Sequence, residues 1–345
     1  MIGAVRAIAV AGWIMSATAT GAEPSYDILT FQDLDGWEND DHSAALATFL
    51  NTCADLKEPD WRSLCAVAQN QKDAKSFFEL FFRPIQISDG NAPLFTGYFE
   101  PELNGSLRYS SRYRYPVYSM PPEAKLSNPW LTRREILDGD AMQNRRLEIA
   151  WVDDPVELFF LQIQGSGRIK LPGGQTIRVG YAGANGHPYR SIGVELVRRG
   201  IYDAHQVSAE VIKNWVRRNP EEGEELLFHN PSYVFFRKVS HVPAEKGPLG
   251  AMNRSITTMR TIAVDPAFTP LGAPVWIEKD GENPLRRLMI AQDTGSAIKG
   301  AQRADVFFGT GDAAGEAAGK LKDPGRMVVL MPIQRAYAML PEGDL

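Results

Sequence analysis

The chain has 345 residues, a formal net charge of -5 at pH 7 and a hydrophobic fraction of 44%. A chain of this length can bury a large core and is expected to form about two domains. Its mild acidity and the lack of a basic stretch argue against a nucleic-acid partner, because binding a run of phosphates requires a matching set of cationic side chains.

The first 22 residues have the pattern of a secretory signal peptide. Arg6 precedes an apolar run from Ala7 to Met15, and small residues follow, with cleavage expected after Ala22 or Ala19. The apolar run is too short and too interrupted to span a bilayer, and no cysteine follows it as a lipid acceptor. We therefore expect a soluble exported protein; the alternative is a buried N-terminal helix.

Residues 41–82 show the helical spacing of apolar side chains and include the only two cysteines, Cys53 and Cys65. Because export leads to an oxidising compartment, we predict a disulfide between them, with a pair of buried thiols as the alternative. The histidines are scattered, without ligand spacing to one another or to a cysteine, so no metal site is predicted. This segment is expected to be a small helical prelude that packs on the rest of the fold.

From Leu94 onwards the apolar period becomes strand-like, and short β-rich runs separated by glycine and proline dominate. Two helices are predicted among them, over 189–199 and 208–218, the second with a serine cap. The chain is therefore predicted to be mainly β with peripheral helices.

A domain boundary is expected near the polar stretches 221–224 and 241–247. Strands before position 106 and after about 238 must both find partners, so a domain inserted into another fits better than two consecutive domains. We predict a smaller β-domain, residues 106–237, inserted into a domain formed by residues 23–105 and 238–345.

Two segments carry side chains suited to a sugar ligand. In residues 159–174, alternating apolar residues lead into Gln164-Gly165-Ser166-Gly167, where glycines let the backbone approach a ligand and Gln164 and Ser166 offer donors and acceptors. A β-bulge or hairpin is the structural alternative, and a serine nucleophile is not expected without a G-x-S-x-G elbow. Tyr181 and Tyr189 could stack on sugar rings, or they could be core or interface aromatics.

Two aspartates late in the chain bracket a glycine-containing loop. Asp293 follows an apolar run and Asp305 precedes another, so both are predicted at strand ends facing one cleft. Such a pair suggests acid/base catalysis; the alternative is that both cap turns. The Asp293-Thr294-Gly295 triplet also matches the aspartic-protease signature, but that class needs two such loops and the sequence has one. Asp265, in an Asp-Pro turn, is predicted to be structural.

Taken in order, these segments resemble the membrane-bound lytic transglycosylase A family. The matching stretches, between about 94 and 333, are FTGYFEP, YPVYSMP, LTRREI, AWVDDPVELFFLQIQGSG, VGYAGANGHPYRSIG, NPSYVFFR, GPLGA, AVDP, PLGAPVW and DTGSAIKG followed by RADVFFG. The resemblance implies a double-psi β-barrel domain with the smaller inserted β-domain, and a deep groove between them for a peptidoglycan strand. It also implies cleavage between N-acetylmuramic acid and N-acetylglucosamine without water, which leaves a 1,6-anhydro end.

The resemblance assigns the catalytic aspartate to Asp305 and its companion to Asp293. The sugar's own 6-hydroxyl then attacks C1 at a high effective concentration, so one carboxyl group suffices as acid and base. Burial in the groove is expected to raise the pKa of Asp305. Asp293 is expected to orient the loop, or to favour an oxocarbenium-like transition state and hold up the pKa of Asp305 through its charge.

The remaining functional expectations also follow from the resemblance. Peptidoglycan strands are the expected partner, other cell-wall enzymes are further candidates, and a monomer without a cofactor is expected. Lys299 could instead be a solvated loop lysine. The residues expected to line the groove are Thr96, Tyr98, Gln164, Ser166 and Lys299.

Two features depart from the family pattern. The missing lipid-acceptor cysteine favours a soluble periplasmic form, peripheral at the cell wall or outer membrane. Ser296 stands where a second glycine is usual, and we expect it to affect substrate preference rather than to abolish activity.

Two rival functions stay open at this point. A non-catalytic glycan-binding or wall-loosening protein of the expansin kind would keep the groove aromatics without a raised pKa at Asp305. A conventional hydrolase would use Asp293 and Asp305 as a pair and would release reducing ends that contain the atoms of water.

Overall fold

The computed structural model describes residues 23–339; the predicted signal peptide, residues 1–22, lies outside the described residues. The described part is mainly β with helices, as predicted. Its strands are β1 (Ser25–Ile28), β2 (Phe82–Ser88), β3 (Leu94–Glu100), β4 (Glu102–Ser106), β5 (Tyr115–Tyr118), β6 (Glu148–Val152), β7 (Ser166–Lys170), β8 (Thr176–Ala184), β9 (Val234–Val239), β10 (Thr261–Val264), β11 (Pro274–Lys279), β12 (Leu285–Thr294), β13 (Arg303–Thr310), β14 (Lys322–Asp323) and β15 (Gly325–Pro332). Its α-helices are α1 (His42–Leu50), α2 (Pro59–Ala68), α3 (Ala74–Phe81), α4 (Pro122–Leu126), α5 (Arg133–Asp138), α6 (Pro155–Gln164), α7 (Ile192–Arg198), α8 (Ala209–Arg218), α9 (Pro220–Phe228), α10 (Asp312–Lys320) and α11 (Ile333–Ala338). Over residues 23–339, none of the helices has the length and apolarity needed to cross a membrane.

The first sheet combines strands from both ends of the chain, in the order β1-β2-β15-β11-β12-β10-β13-β3-β14. Most neighbours are antiparallel, but β10 runs parallel to β12 and β3 runs parallel to β13. Helices α1 to α3 pack on this sheet in one large core, which includes Phe49, Trp61, Phe77 and Trp276. The first sheet also carries both aspartates of the predicted site.

The second sheet is built from residues 102–239, in the order β5-β6-β4-β7-β8-β9. It has its own apolar core, which includes Leu103, Ile169 and Phe236. The predicted boundary places residues 102–105 in the first domain, but β4 pairs with β6 and β7 and so belongs to the second sheet. The division into an inserted and a surrounding domain stays a prediction.

Both helices predicted within the β-rich part of the sequence are present in the structure. The predicted helices correspond to α7 and α8, and Ser208 caps α8 by accepting a hydrogen bond from Val211 N at 3.2 Å.

The interpretation of residues 159–164 as an alternating apolar run before a strand is wrong, because they form the end of α6. Asp154 caps this helix through Val156 N, and Gly165 ends it in the left-handed conformation, with φ of 77°.

The predicted disulfide between Cys53 and Cys65 is confirmed. Cys53 lies in the turn after α1, and Cys65 lies in α2. Closing a loop of this size stabilises the fold by about 3 kcal/mol in the chain-entropy model. The bond therefore holds α1 and α2 together where they cover the first sheet.

Candidate active site

The register of the first sheet brings the two aspartates to one level. Ala263 on β10 pairs with Asp293 on β12 and, on its other side, with Asp305 on β13. Directly paired residues present their side chains on the same face of a sheet, and two strand spacings amount to about 10 Å. Both aspartates are partly buried. The two carboxyl groups thus lie on one face without having to share a hydrogen bond.

Asp305 is contacted by a threonine from the neighbouring strand. Thr96 on β3 is the register partner of Asp305, and Thr96 Oγ1 donates to Asp305 Oδ1 at 2.6 Å. Arg303 Nη2 in turn donates to Thr96 Oγ1 at 2.8 Å. Burial raises the pKa of Asp305, against the opposing effects of the Thr96 hydrogen bond and the Arg303 charge. Burial therefore shifts Asp305 towards the protonated form that a general acid needs.

Asp293 accepts three hydrogen bonds from neutral donors. Its Oδ1 accepts from the backbone N–H groups of Ala251 and Thr294, both at 2.9 Å, and its Oδ2 accepts from Tyr98 OH at 2.9 Å. Burial raises the pKa of Asp293 to about 6, although these hydrogen bonds oppose the shift. The site thus holds two carboxyl groups with raised pKa values, a combination typical of acid/base centres.

The hydrogen bond between Tyr98 and Asp293 indicates that the first sheet is curved. Tyr98 lies on β3 and Asp293 on β12, and β13 and β10 lie between these strands. Three strand spacings of about 4.8 Å separate the two backbones in a flat sheet, yet the side chains meet at 2.9 Å. The sheet therefore curves towards this face, and the two aspartates lie on its concave side.

Gln164 hydrogen-bonds to β3, and Ser166 follows two residues later at the start of β7. Gln164 Oε1 accepts from Phe99 N on β3 at 3.0 Å, and Ser166 begins β7, paired with Gly180. Within residues 23–339, neither side chain hydrogen-bonds to Asp293 or Asp305. The Gly165 turn that ends α6 lies between the two residues, and their role in binding substrate stays a prediction.

Lys299 lies in the loop between β12 and β13, and its side chain is 65% exposed. Its Nζ lies 3.5 Å from Asp265 Oδ1, whereas neither site aspartate is within salt-bridge distance in the described part of the chain. Asp265 accepts from Ala267 N in its own turn, as predicted, and also from Gly300 N at 3.1 Å. Asp265 thus fixes the end of the glycine-containing loop, and a substrate-binding role for Lys299 stays a prediction.

Tyr181 and Tyr189 are not core residues. Their side chains are 54% and 42% exposed, respectively. This exposure argues against the core interpretation and leaves stacking on a ligand and a role at an interface open.

Two groups that shape the site were not predicted from the sequence. Arg303 lies two residues before Asp305, and residues i and i+2 of a strand share a face, so its position could have been inferred from β13. Ala251 N reaches Asp293 across 42 residues of sequence, and no local pattern indicates that contact.

A further buried carboxyl group lies at the junction between the two sheets. Glu100 ends β3 and has no exposed surface. Its Oε2 accepts from Arg168 Nε at 2.9 Å and from Thr310 Oγ1 at 2.8 Å, and Arg178 Nε lies 2.9 Å from its Oε1. Both arginines also donate to the Lys246 carbonyl. Because they come from β7 and β8, this cluster ties the second sheet to the first.

Comparisons with known families match most of this architecture. Residues 94–237 match the family model described as the MltA specific insert domain, and residues 260–331 match the 3D domain model. The first stretch contains β3 and all of the second sheet except the end of β9, and the second stretch contains both site aspartates.

Individual relatives extend the match to nearly the whole described chain. The membrane-bound lytic murein transglycosylase A of Vibrio cholerae is 34% identical over 264 residues, which cover 72% of this chain and 69% of that protein. The crystal structure of membrane-bound lytic murein transglycosylase from Agrobacterium tumefaciens is 32% identical, with a TM-score of 0.81, and covers 91% of this chain and 99% of its own. Escherichia coli MltA with bound chitohexaose is 27% identical, with a TM-score of 0.73, and covers 89% and 94%.

Proposed function

Because this chain belongs to the membrane-bound lytic murein transglycosylase A family, we propose that it cleaves the β-1,4 bond between N-acetylmuramic acid and N-acetylglucosamine without water. The enzyme is a lytic murein transglycosylase that acts on peptidoglycan. The observation that carries it is the pair of partly buried carboxyl groups with raised pKa values, Asp305 and Asp293, on one concave face. The chitohexaose bound to the Escherichia coli relative supports a glycan ligand for this chain.

In the first step Asp305 is the acid. Its proton passes to the glycosidic oxygen while the bond from C1 to that oxygen breaks, and the N-acetylglucosamine side leaves as an alcohol. The raised pKa of Asp305 favours the protonated form from which this step starts. Positive charge develops at C1, and the ionised form of Asp293 on the same face favours it.

In the second step Asp305 is the base. The 6-hydroxyl oxygen of the muramic acid attacks C1, and the Asp305 carboxylate takes up the hydroxyl proton. The new bond from C6 oxygen to C1 closes the 1,6-anhydro ring, and Asp305 is protonated again, so that no water is consumed. The tethered hydroxyl makes a second catalytic carboxylate unnecessary.

We also propose the finer features of the fold and of the surroundings that the family resemblance implies. The parallel strand pairs within a largely antiparallel sheet, and its curvature, support a double-psi β-barrel with an inserted domain. Gln164, Ser166 and Lys299 are proposed to bind the glycan along the groove between the sheets. The Cys53–Cys65 disulfide supports a periplasmic location, because disulfides persist in oxidising compartments.

The test is mass spectrometry of the products that the purified protein releases from peptidoglycan. The expected muropeptides are about 18 Da lighter than hydrolysed ones, because the 6-hydroxyl replaces water as nucleophile. Asp305→Asn is expected to lower the rate at least about 100-fold, because it cannot act as acid or base. Asp27→Asn, an exposed aspartate on β1, is the matched control and should retain the wild-type rate.

Other outcomes would point to the rival functions. Reducing ends of full mass would mean a hydrolase. Intact glycan that retains the protein would mean a binding module. Near wild-type cleavage by Asp305→Asn would remove this residue from the mechanism.

A further inference from the structure

Among the described residues, the hydrogen bonds that connect Arg303 with Asp305 run through Thr96. Arg303 Nη2 donates to Thr96 Oγ1 at 2.8 Å, and Thr96 Oγ1 donates to Asp305 Oδ1 at 2.6 Å. We propose that Arg303 is a positioning residue that fixes the direction of the Thr96 hydroxyl proton, so that Asp305 carries its acidic proton on Oδ2. The inference rests on the proposed function, in which Asp305 is the acid.

The directions of the two hydrogen bonds follow from which groups can donate. A guanidinium group has only N–H donors, whereas a threonine hydroxyl has one proton and two lone pairs. Since Arg303 can only donate, it occupies a lone pair of Thr96 Oγ1 and leaves the single hydroxyl proton for Asp305 Oδ1. An oxygen that accepts this short hydrogen bond is the less favourable place for the carboxyl proton. The proton therefore resides on Oδ2.

The guanidinium group is itself held in place by backbone. Arg303 Nη1 donates to the carbonyl oxygen of Ala304 at 2.6 Å and to that of Leu94 at 3.3 Å. These carbonyls belong to β13 and β3, the two strands that carry Asp305 and Thr96. The relay of Arg303, Thr96 and Asp305 is thus fixed to the same strand pair, and the direction of each hydrogen bond follows from the sheet.

The relay has a consequence for both proton transfers. With Oδ1 held by Thr96, rotation of the carboxyl group about its Cβ–Cγ bond would break a charge-assisted hydrogen bond once Asp305 is ionised. Oδ2 then gives its proton to the glycosidic oxygen and later accepts the proton of the 6-hydroxyl. One oxygen atom serves both steps, and the other stays bound to Thr96 throughout.

The experiment compares Arg303→Gln, Thr96→Val and the double variant by kcat, KM and the pH profile on a soluble glycan fragment. Each single change is expected to lower kcat about tenfold, the equivalent of one hydrogen bond, with little change in KM. The Thr96 hydrogen bond and the Arg303 charge both lower the pKa of Asp305, so either change should move the basic limb of the profile to higher pH. In the Thr96→Val background, Arg303→Gln should have almost no further effect on kcat.

Conservative variants and a matched control separate positioning from folding. Thr96→Ser keeps the hydroxyl and should restore most of the activity. Arg303→Lys keeps a donor but lacks the fork in which Nη1 binds the two carbonyls and Nη2 binds Thr96, so it should restore only part of the activity. Arg62→Gln, on the exposed side of α2, should change nothing. Thermal unfolding of each variant identifies any that lose kcat by unfolding.

Two results would overturn the inference. If the double variant loses kcat by the product of the two single losses, Arg303 acts independently of Thr96. If the basic limb of the pH profile stays where it is in the wild type, neither group affects the proton of Asp305. These results differ from a failure of the proposed function, in which Asp305→Asn itself would remain active.

Discussion

Strand β3 takes part in two clusters with buried carboxyl groups, and the groups that contact these carboxyl groups differ between the clusters. At its end, Glu100 is in contact with the guanidinium groups of Arg168 and Arg178. Four and two residues earlier, Thr96 and Tyr98 hydrogen-bond to Asp305 and Asp293, whose direct donors are hydroxyl and backbone N–H groups.

The difference lies in what compensates the buried charge. A guanidinium group in direct contact offsets much of the desolvation of a carboxylate, and the pair then fixes the elements that supply it. Neutral donors compensate less, and burial raises the pKa of both aspartates. One region thus uses a buried carboxyl group to join two sheets, and the other keeps two carboxyl groups able to exchange protons.

The largest effect on stability is expected from breaking the ion pairs of Glu100 with Arg168 and Arg178. Glu100→Gln would leave two largely buried arginines without their carboxylate, and removing one partner of a buried ion pair costs about 3 to 5 kcal/mol. We expect the free energy of unfolding at pH 7, measured in urea, to fall by this amount.

The control for this prediction is Arg134→Gln, because Arg134 pairs with Glu225 on the surface. Exposed pairs contribute about 0 to 1 kcal/mol. If Glu100→Gln were no more destabilising than this control, the cluster at the sheet junction would not be the link that we describe.

A substitution at the candidate active site is expected to change the free energy of unfolding in the opposite direction. The pKa of Asp293 is raised from 3.8 to about 6, so between these values the folded protein holds a proton that the unfolded chain has lost, and stability falls as the pH rises. Asp293→Asn removes this penalty and retains an oxygen to accept from Ala251 and Thr294. We expect a gain of about 1 to 2 kcal/mol at pH 8, discounted for the partial exposure of the side chain.

The gain should be absent at pH 4, where Asp293 is protonated in the folded protein. Unfolding curves of the variant and the wild type at both pH values measure the difference, with the exposed Asp27→Asn as control. A loss of stability at pH 8 would show that the ionised carboxylate is well compensated where it lies.

Local sequence patterns were sufficient to predict some of these features but not others. Asp293 and Asp305 stand beside apolar runs that form strands, and Cys53 and Cys65 are close enough in sequence for a disulfide. Helix α6 was missed because its residues are apolar on several sides, including buried Val156 and Phe159. Such a segment lacks the one-sided stripe that distinguishes a helix from a buried strand.

The contacts that distinguish the two carboxylate regions could not be derived in this way. Glu100 meets Arg168 and Arg178 across 68 and 78 residues of sequence. These meetings depend on the register between strands and on the position of one sheet against the other. Local propensity and periodicity contain no information about either.

An effect of similar size, but a loss of stability, is expected from Tyr98→Phe, which removes one neutral donor from Asp293. The Tyr98 hydrogen bond lowers the pKa of Asp293 against burial, so the variant should raise that pKa above about 6. A hydrogen bond to a charged group contributes about 1.5 kcal/mol, and this stability should be lost at pH 8, where Asp293 is ionised, but largely kept at pH 5. Unfolding at the two pH values and carboxyl titration by NMR measure both quantities, with the partly exposed Tyr337→Phe as control. Adding Asp293→Asn should abolish the pH dependence of the Tyr98→Phe effect, because no charge then remains for the hydroxyl to stabilise; an equal loss at both pH values would assign Tyr98 to packing instead.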